Sequence, residues 1–93
     1  MFYAIFMGKV QDYDKWLSEF AKDYNLLKAS GGKSARALQR FDDPNMGIVI
    51  AGWENLEDAK KFVESDALKT RMQMAGVIGK PDIYFAEEKL QLI

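Results

Sequence analysis

The chain has 93 residues, enough for one domain over 1–93 with a modest core, and 48% of them are apolar. Thirteen basic residues against fourteen acidic ones leave a net charge of −1, which builds no field for nucleic acid or an anionic membrane. With no cysteine and no histidine, disulfides, thiolate metal sites, thiol nucleophiles and the usual imidazole base are excluded.

Phe2 to Val10 is rich in aromatic and branched residues and reads as a first strand. It lacks a basic leader and a small-residue cleavage site, so it is not read as a signal peptide. Asp12 is a good cap for a helix carrying Tyr13, Trp16, Leu17, Phe20, Tyr24 and Leu27 on one face. Lys15, Glu19, Lys22 and Asp23 fall largely on the opposite side. Gly31 and Gly32 end that helix. Ser34 to Phe41 mixes polar and apolar residues on each face, which suits an edge strand. The turn Asp43-Pro44-Asn45 leads into the dense apolar run Met46 to Trp53, a strand and hairpin partner.

Asn55 caps a second helix, with Glu57 and Asp58 at its positive end. Leu56, Ala59, Phe62 and Val63 form its stripe. Ser65 and Asp66 offer a fresh cap and predict a break. A further helical piece carries Ala67, Leu68, Met72 and Ala75 and runs to Gly76. Gly79 and Pro81 are expected to stop helical structure. Ile83 to Glu87 is the last strand, and the apolar tail Leu90, Leu92, Ile93 is expected to dock on the body or on a neighbour.

The order strand, helix, strand, strand, helix, strand predicts an α+β domain of the ferredoxin-like βαββαβ class. Its four-stranded antiparallel sheet would carry both helices on one face. The first and third strands are apolar on both sides, yet the helices can cover only one. A second copy is the cover this implies: a homodimer packing two sheets face to face into an α+β barrel. No run nears the ~20 apolar residues of a membrane span, and a cytoplasmic location is expected.

The same topology serves several functions. The RNA-recognition version needs a basic-glycine-aromatic pattern on the third strand, and here only Trp53 ends it. Metal chaperones need a Cys-x-x-Cys loop, and phosphate-cradling loops need more than Gly31-Gly32. No nucleic-acid partner and no cofactor or metal is expected.

Several segments carry a resemblance. They are Val10 with Asp12-Tyr13-Asp14-Lys15-Trp16, the turn Phe41 to Asn45, and Trp53-Glu54 before Leu56-Glu57-Asp58-Ala59. The Ser65-Asp66-Ala67-Leu68 break and Ala75-Gly76-Val77 leading to Pro81-Asp82-Ile83-Tyr84-Phe85 complete it. With these the chain resembles the dimeric α+β barrel superfamily, close to the antibiotic-biosynthesis-monooxygenase-like domains. That superfamily includes cofactor-free monooxygenases of polycyclic phenols, haem-degrading monooxygenases and polyketide cyclases. The resemblance gives Trp53 the place of a tryptophan near the third strand. Haem degradation and most cyclases lean on histidine, which this chain lacks.

A pocket is expected between helices and sheet or in the barrel mouth. The candidate lining residues are Tyr3, Tyr13, Tyr24, Arg36, Trp53, Arg71 and Tyr84. Each has a plainer role as well: Tyr13 and Tyr24 as core on the helix stripe, Trp53 as a barrel plug, Arg36 as a surface or dimer charge. The reading is a small-molecule-binding dimeric barrel protein with no catalytic residue named. Its alternatives are a cofactor-independent monooxygenase of an aromatic or polyketide-like substrate, and a structural or interaction module.

Overall fold

A computed structural model describes residues 1–93. The elements are β1 (Phe2–Val10), α1 (Tyr13–Ala21), α2 (Tyr24–Ala29), β2 (Gly32–Gln39), β3 (Met46–Trp53), α3 (Leu56–Glu64), α4 (Asp66–Met74) and β4 (Val77–Glu87). All strand pairs are antiparallel, in the order β2-β3-β1-β4. This is the ferredoxin-like arrangement, with the two most apolar strands at the centre and the mixed strand β2 at an edge.

The helix starts follow their caps. Asp12 accepts from the Lys15 N–H at 3.2 Å and Asn55 from the Asp58 N–H at 2.9 Å. Such caps contribute about 1 kcal/mol each. Ser65 serves both neighbours of the expected break: its hydroxyl donates to Phe62 O at 2.7 Å and accepts from Leu68 N–H at 3.2 Å.

Three expectations are corrected. The first helix is two helices, α1 and α2, joined at Lys22 and Asp23. There the N–H groups of both residues reach back only three positions, to Glu19 O and Phe20 O. No glycine or proline causes the break; it aims the Asp23 side chain at Arg71 on α4, a contact that local sequence does not announce. The last strand starts at Val77 and not Ile83. Gly79 and Pro81, expected to stop helical structure, lie within this strand at an edge bulge: Met7 pairs with Asp82 and Lys9 with Ile78, so Gly8 faces three residues of β4. An edge position tolerates the missing proline N–H, and Gly79 takes φ of 68°. The tail does not dock on its own body: Leu90, Leu92 and Ile93 stand exposed. The β1–β4 pairing is extended by one bond beyond the strand ends, Glu88 N–H to Met1 O at 3.0 Å.

The pairing register sorts the sheet into two faces. Ala4 and Phe6 on β1, Val49 and Ala51 on β3, and Ile83 on β4 point toward the helices. Trp16 is the centre of an aromatic row, its ring centroid 6.2 Å from Phe6, 5.3 Å from Tyr13 and 5.7 Å from Phe20. Gly47 is required beneath that row, because a Cβ there would lie 2.9 Å from the Trp16 ring. The opposite face carries Ile5, Met7, Ile48 and Ile50 at its middle, with Tyr3, Arg36, Leu38 and Tyr84 around them. Nothing within the chain covers it. No helix is long and apolar enough to cross a membrane.

Candidate functional site

Helices α1 to α4 do not close completely on the sheet. Between them lies a cavity of about 70 Å³, and fourteen of its sixteen lining residues are hydrophobic. That is room for a few waters. The sheet supplies Ala4, Phe6, Val49, Ala51, Trp53 and Ile83, and the helices supply Trp16, Phe20, Leu27, Phe62, Leu68 and Met72 among others. Alanines at 4 and 51 leave the space, since larger strand residues there would fill it. Trp53 has no solvent exposure. Its ring leans on Phe62 at 5.4 Å, and its indole N–H donates to Ser30 Oγ at 3.1 Å. The Ser30 hydroxyl in turn donates to Leu27 O at 2.6 Å. Every polar atom of this wall is therefore partnered.

The two polar lining residues, Asp23 and Arg71, form one network. Arg71 Nε donates to Asp23 Oδ1 at 2.7 Å. Its second terminal nitrogen donates to Glu19 O at 2.9 Å and Glu19 Oε2 at 3.1 Å. Lys22 Nζ closes on the other Glu19 oxygen at 3.1 Å. Two cations thus meet two anions, and the cluster ties α1 and α2 to α4 without net charge. The Lys22 hydrogen bond, with the Lys22 charge and the Arg71 contacts behind it, holds the Glu19 carboxyl below its ordinary range. Asp43, bonded to Lys9, and Glu87, bonded to Lys89, are lowered in the same way.

A carboxyl whose folded pKa is depressed contributes stability that is fully present above its unfolded value. That stability is lost as pH falls through the folded one. Melting temperature is expected to decline once the pH drops below about 4.5, the ordinary glutamate value. In Lys22→Met the Glu19 share of that decline shrinks; a thermal-melt series across pH on both proteins checks it.

No sequence-family model matches the chain, and no curated protein matches it in sequence. Solved structures do match in shape. A provisionally assigned antibiotic biosynthesis monooxygenase from Bordetella bronchiseptica superposes with a TM-score of 0.81 at 14% identity, over 96% of this chain and 97% of that one. SnoaB, a cofactor-independent oxygenase from Streptomyces nogalater, superposes with a TM-score of 0.79 at 14% identity, over 98% and 95%. A provisionally assigned antibiotic biosynthesis monooxygenase from Caulobacter crescentus gives 0.76 at 15% identity, over 96% and 90%.

The fold is that of the antibiotic-biosynthesis-monooxygenase-like α+β domains.

On this fold the seven candidate residues fall in three places. Trp53 and Arg71 line the cavity. Tyr3, Arg36 and Tyr84 lie together on the opposite sheet face, where Tyr3 Oη donates to Glu88 Oε1 at 3.2 Å. Tyr13 and Tyr24 belong to the helical layer. Tyr13 packs on Trp16 outside the cavity lining, and Tyr24 is 63% exposed with Lys28 over its ring. Burial, with Glu88 adding to it, raises the Tyr3 phenol, and burial raises that of Tyr13. Neither is a phenolate base near neutrality.

Asp23 in the wall and Ser30 behind Trp53 are the residues missed by sequence. Asp23 was read onto the solvent side, but it is buried. A signal was there: Trp16, Phe20, Asp23 and Leu27 are spaced by four, three and four residues, so a carboxylate interrupts the apolar stripe. Arg71 interrupts Leu68, Met72 and Ala75 in the same manner. Two opposite charges on two apolar stripes pointed at one another.

Proposed function

We propose that the protein binds a small apolar or aromatic molecule between its sheet and its helices, and that binding rather than turnover is its role. It does so as a homodimer, with the uncovered sheet faces of two copies packed together. The observation that carries the reading is the cavity wall: almost wholly hydrophobic, with its only two charges neutralising each other. An apolar, poorly hydrated wall favours apolar ligands, which are admitted as its side chains yield. The neutral dye N-phenyl-1-naphthylamine is expected to bind with a rise in its fluorescence. Ala51→Leu, which fills the cavity, abolishes that rise while leaving the circular dichroism unchanged. Should Ala51→Leu fold poorly, Ala75→Val is the milder plug. A wild-type protein that leaves the dye dark leads instead to the structural or interaction module.

A second reading is a cofactor-independent oxygenase of an aromatic or polyketide-like compound, supported by the fold shared with SnoaB and by Trp53 in the cavity wall. Against it stands the chemistry of the wall. Asp23 is the one carboxylate there and is held by Arg71, and the Trp53 N–H is taken by Ser30. No group is left free to take a proton from a substrate. Oxygen uptake with a panel of hydroquinones is expected to stay at the buffer rate; uptake above it would establish the oxygenase.

A further inference from the structure

The cavity has a neighbour. A groove of about 390 Å³ runs between α4 and β4, bounded by the Gly79–Pro81 bulge. Val63, Met72 and Ile83 line both spaces. These three side chains are therefore a shared wall between the apolar cavity and the groove. Methionine is the most adaptable of hydrophobic side chains, with three rotatable bonds, so Met72 is the part of the wall that yields at least cost. Alone, the inner cavity is far below the ~300–1,000 Å³ of ordinary ligand sites; joined to the groove, it reaches that size.

The two chambers differ in charge. The inner one is neutral. The groove carries Lys69 and Lys80 with no acidic side chain in its lining, and neither lysine forms an ion pair. We propose that the groove is the entrance and outer half of the binding site, and that the ligand is amphipathic. Its apolar or aromatic body passes Met72 into the cavity, and a carboxylate or sulfonate-like anionic group remains at the mouth with Lys69 and Lys80. This rests on the ligand-binding reading above and adds to it the polarity of the ligand and the direction of its approach.

Two dyes with one skeleton separate the claims: N-phenyl-1-naphthylamine, which is neutral, and 8-anilinonaphthalene-1-sulfonate, which adds an anion. The variant Lys69→Ala/Lys80→Ala is expected to bind the anionic dye about five- to tenfold more weakly, the worth of two exposed charge contacts. The neutral dye should stay within about twofold, and salt should weaken only the anionic dye in the wild type. Ala51→Leu should lose both. Equal weakening of the two dyes in the lysine variant, or no weakening of either, overturns the charged mouth while leaving the cavity reading intact. Dye binding that survives Ala51→Leu places the dyes elsewhere and overturns the entrance. If the neutral dye does not bind the wild type at all, the cavity reading itself fails and the entrance falls with it.

Discussion

Trp53→Ala is expected to be the most damaging single truncation in the chain. The indole is wholly buried where β3 ends under α3, against Phe62, and bonded to Ser30. Removing it forfeits the burial of a large ring and opens a void beside a cavity that already exists, a loss of about 3–5 kcal/mol. In a domain of this length that lowers the melting temperature by on the order of 20 °C, or prevents folding at growth temperature. Trp53→Phe separates volume from hydrogen bonding. It keeps most of the ring but leaves Ser30 Oγ without its donor, and its cost should be well under that of alanine. Calorimetry on the two variants checks both. Similar, small losses would mean that the end of β3 is not the keystone the packing makes it.

The second large effect concerns assembly. Ile50→Asp is expected to turn the proposed dimer into a folded monomer of 10.6 kDa. Ile50 pairs with Ile5 on β1 and Arg36 on β2, and all three lie on the sheet face away from the helices. A carboxylate there does nothing to the helix-side packing, so far-ultraviolet circular dichroism should be unchanged. In a face-to-face dimer the same carboxylate would be desolvated without a partner, a cost of several kcal/mol for each copy. Sedimentation at low micromolar concentration reads the result, and Ile50→Leu should remain dimeric. A wild-type protein that already sediments as a monomer removes the dimer from the proposal.

Much of the fold was readable along the chain because it is written in short-range terms. Asp12, Asn55 and Ser65 mark helix starts by their own side-chain bonds, and the two-sided apolar strands β1 and β3 mark the sheet centre. The Trp16 and Trp53 core positions follow from the same patterns. What could not be read depends on residues far apart. The bend between α1 and α2 brings Asp23 to Arg71, forty-eight positions away. The bulge in β4 is set by its pairing with β1 around Gly8, whose Cβ would lie 3.1 Å from Pro81. Tyr3 and Tyr84, marked as pocket residues, fell on the face away from the helices for a related reason. On a two-sided sheet, alternation tells which residues share a face but not which face the helices take. The cavity itself arises from what Ala4 and Ala51 lack, and small residues in a strand read as weak strand formers rather than as space.

The chain has two tryptophans, and both stand in the wall of the same chamber. Its tryptophan emission therefore comes from this one region, without a contribution from exposed indoles. A guest in the chamber would shift or quench that light directly, so the protein carries a built-in optical gauge of its own occupancy.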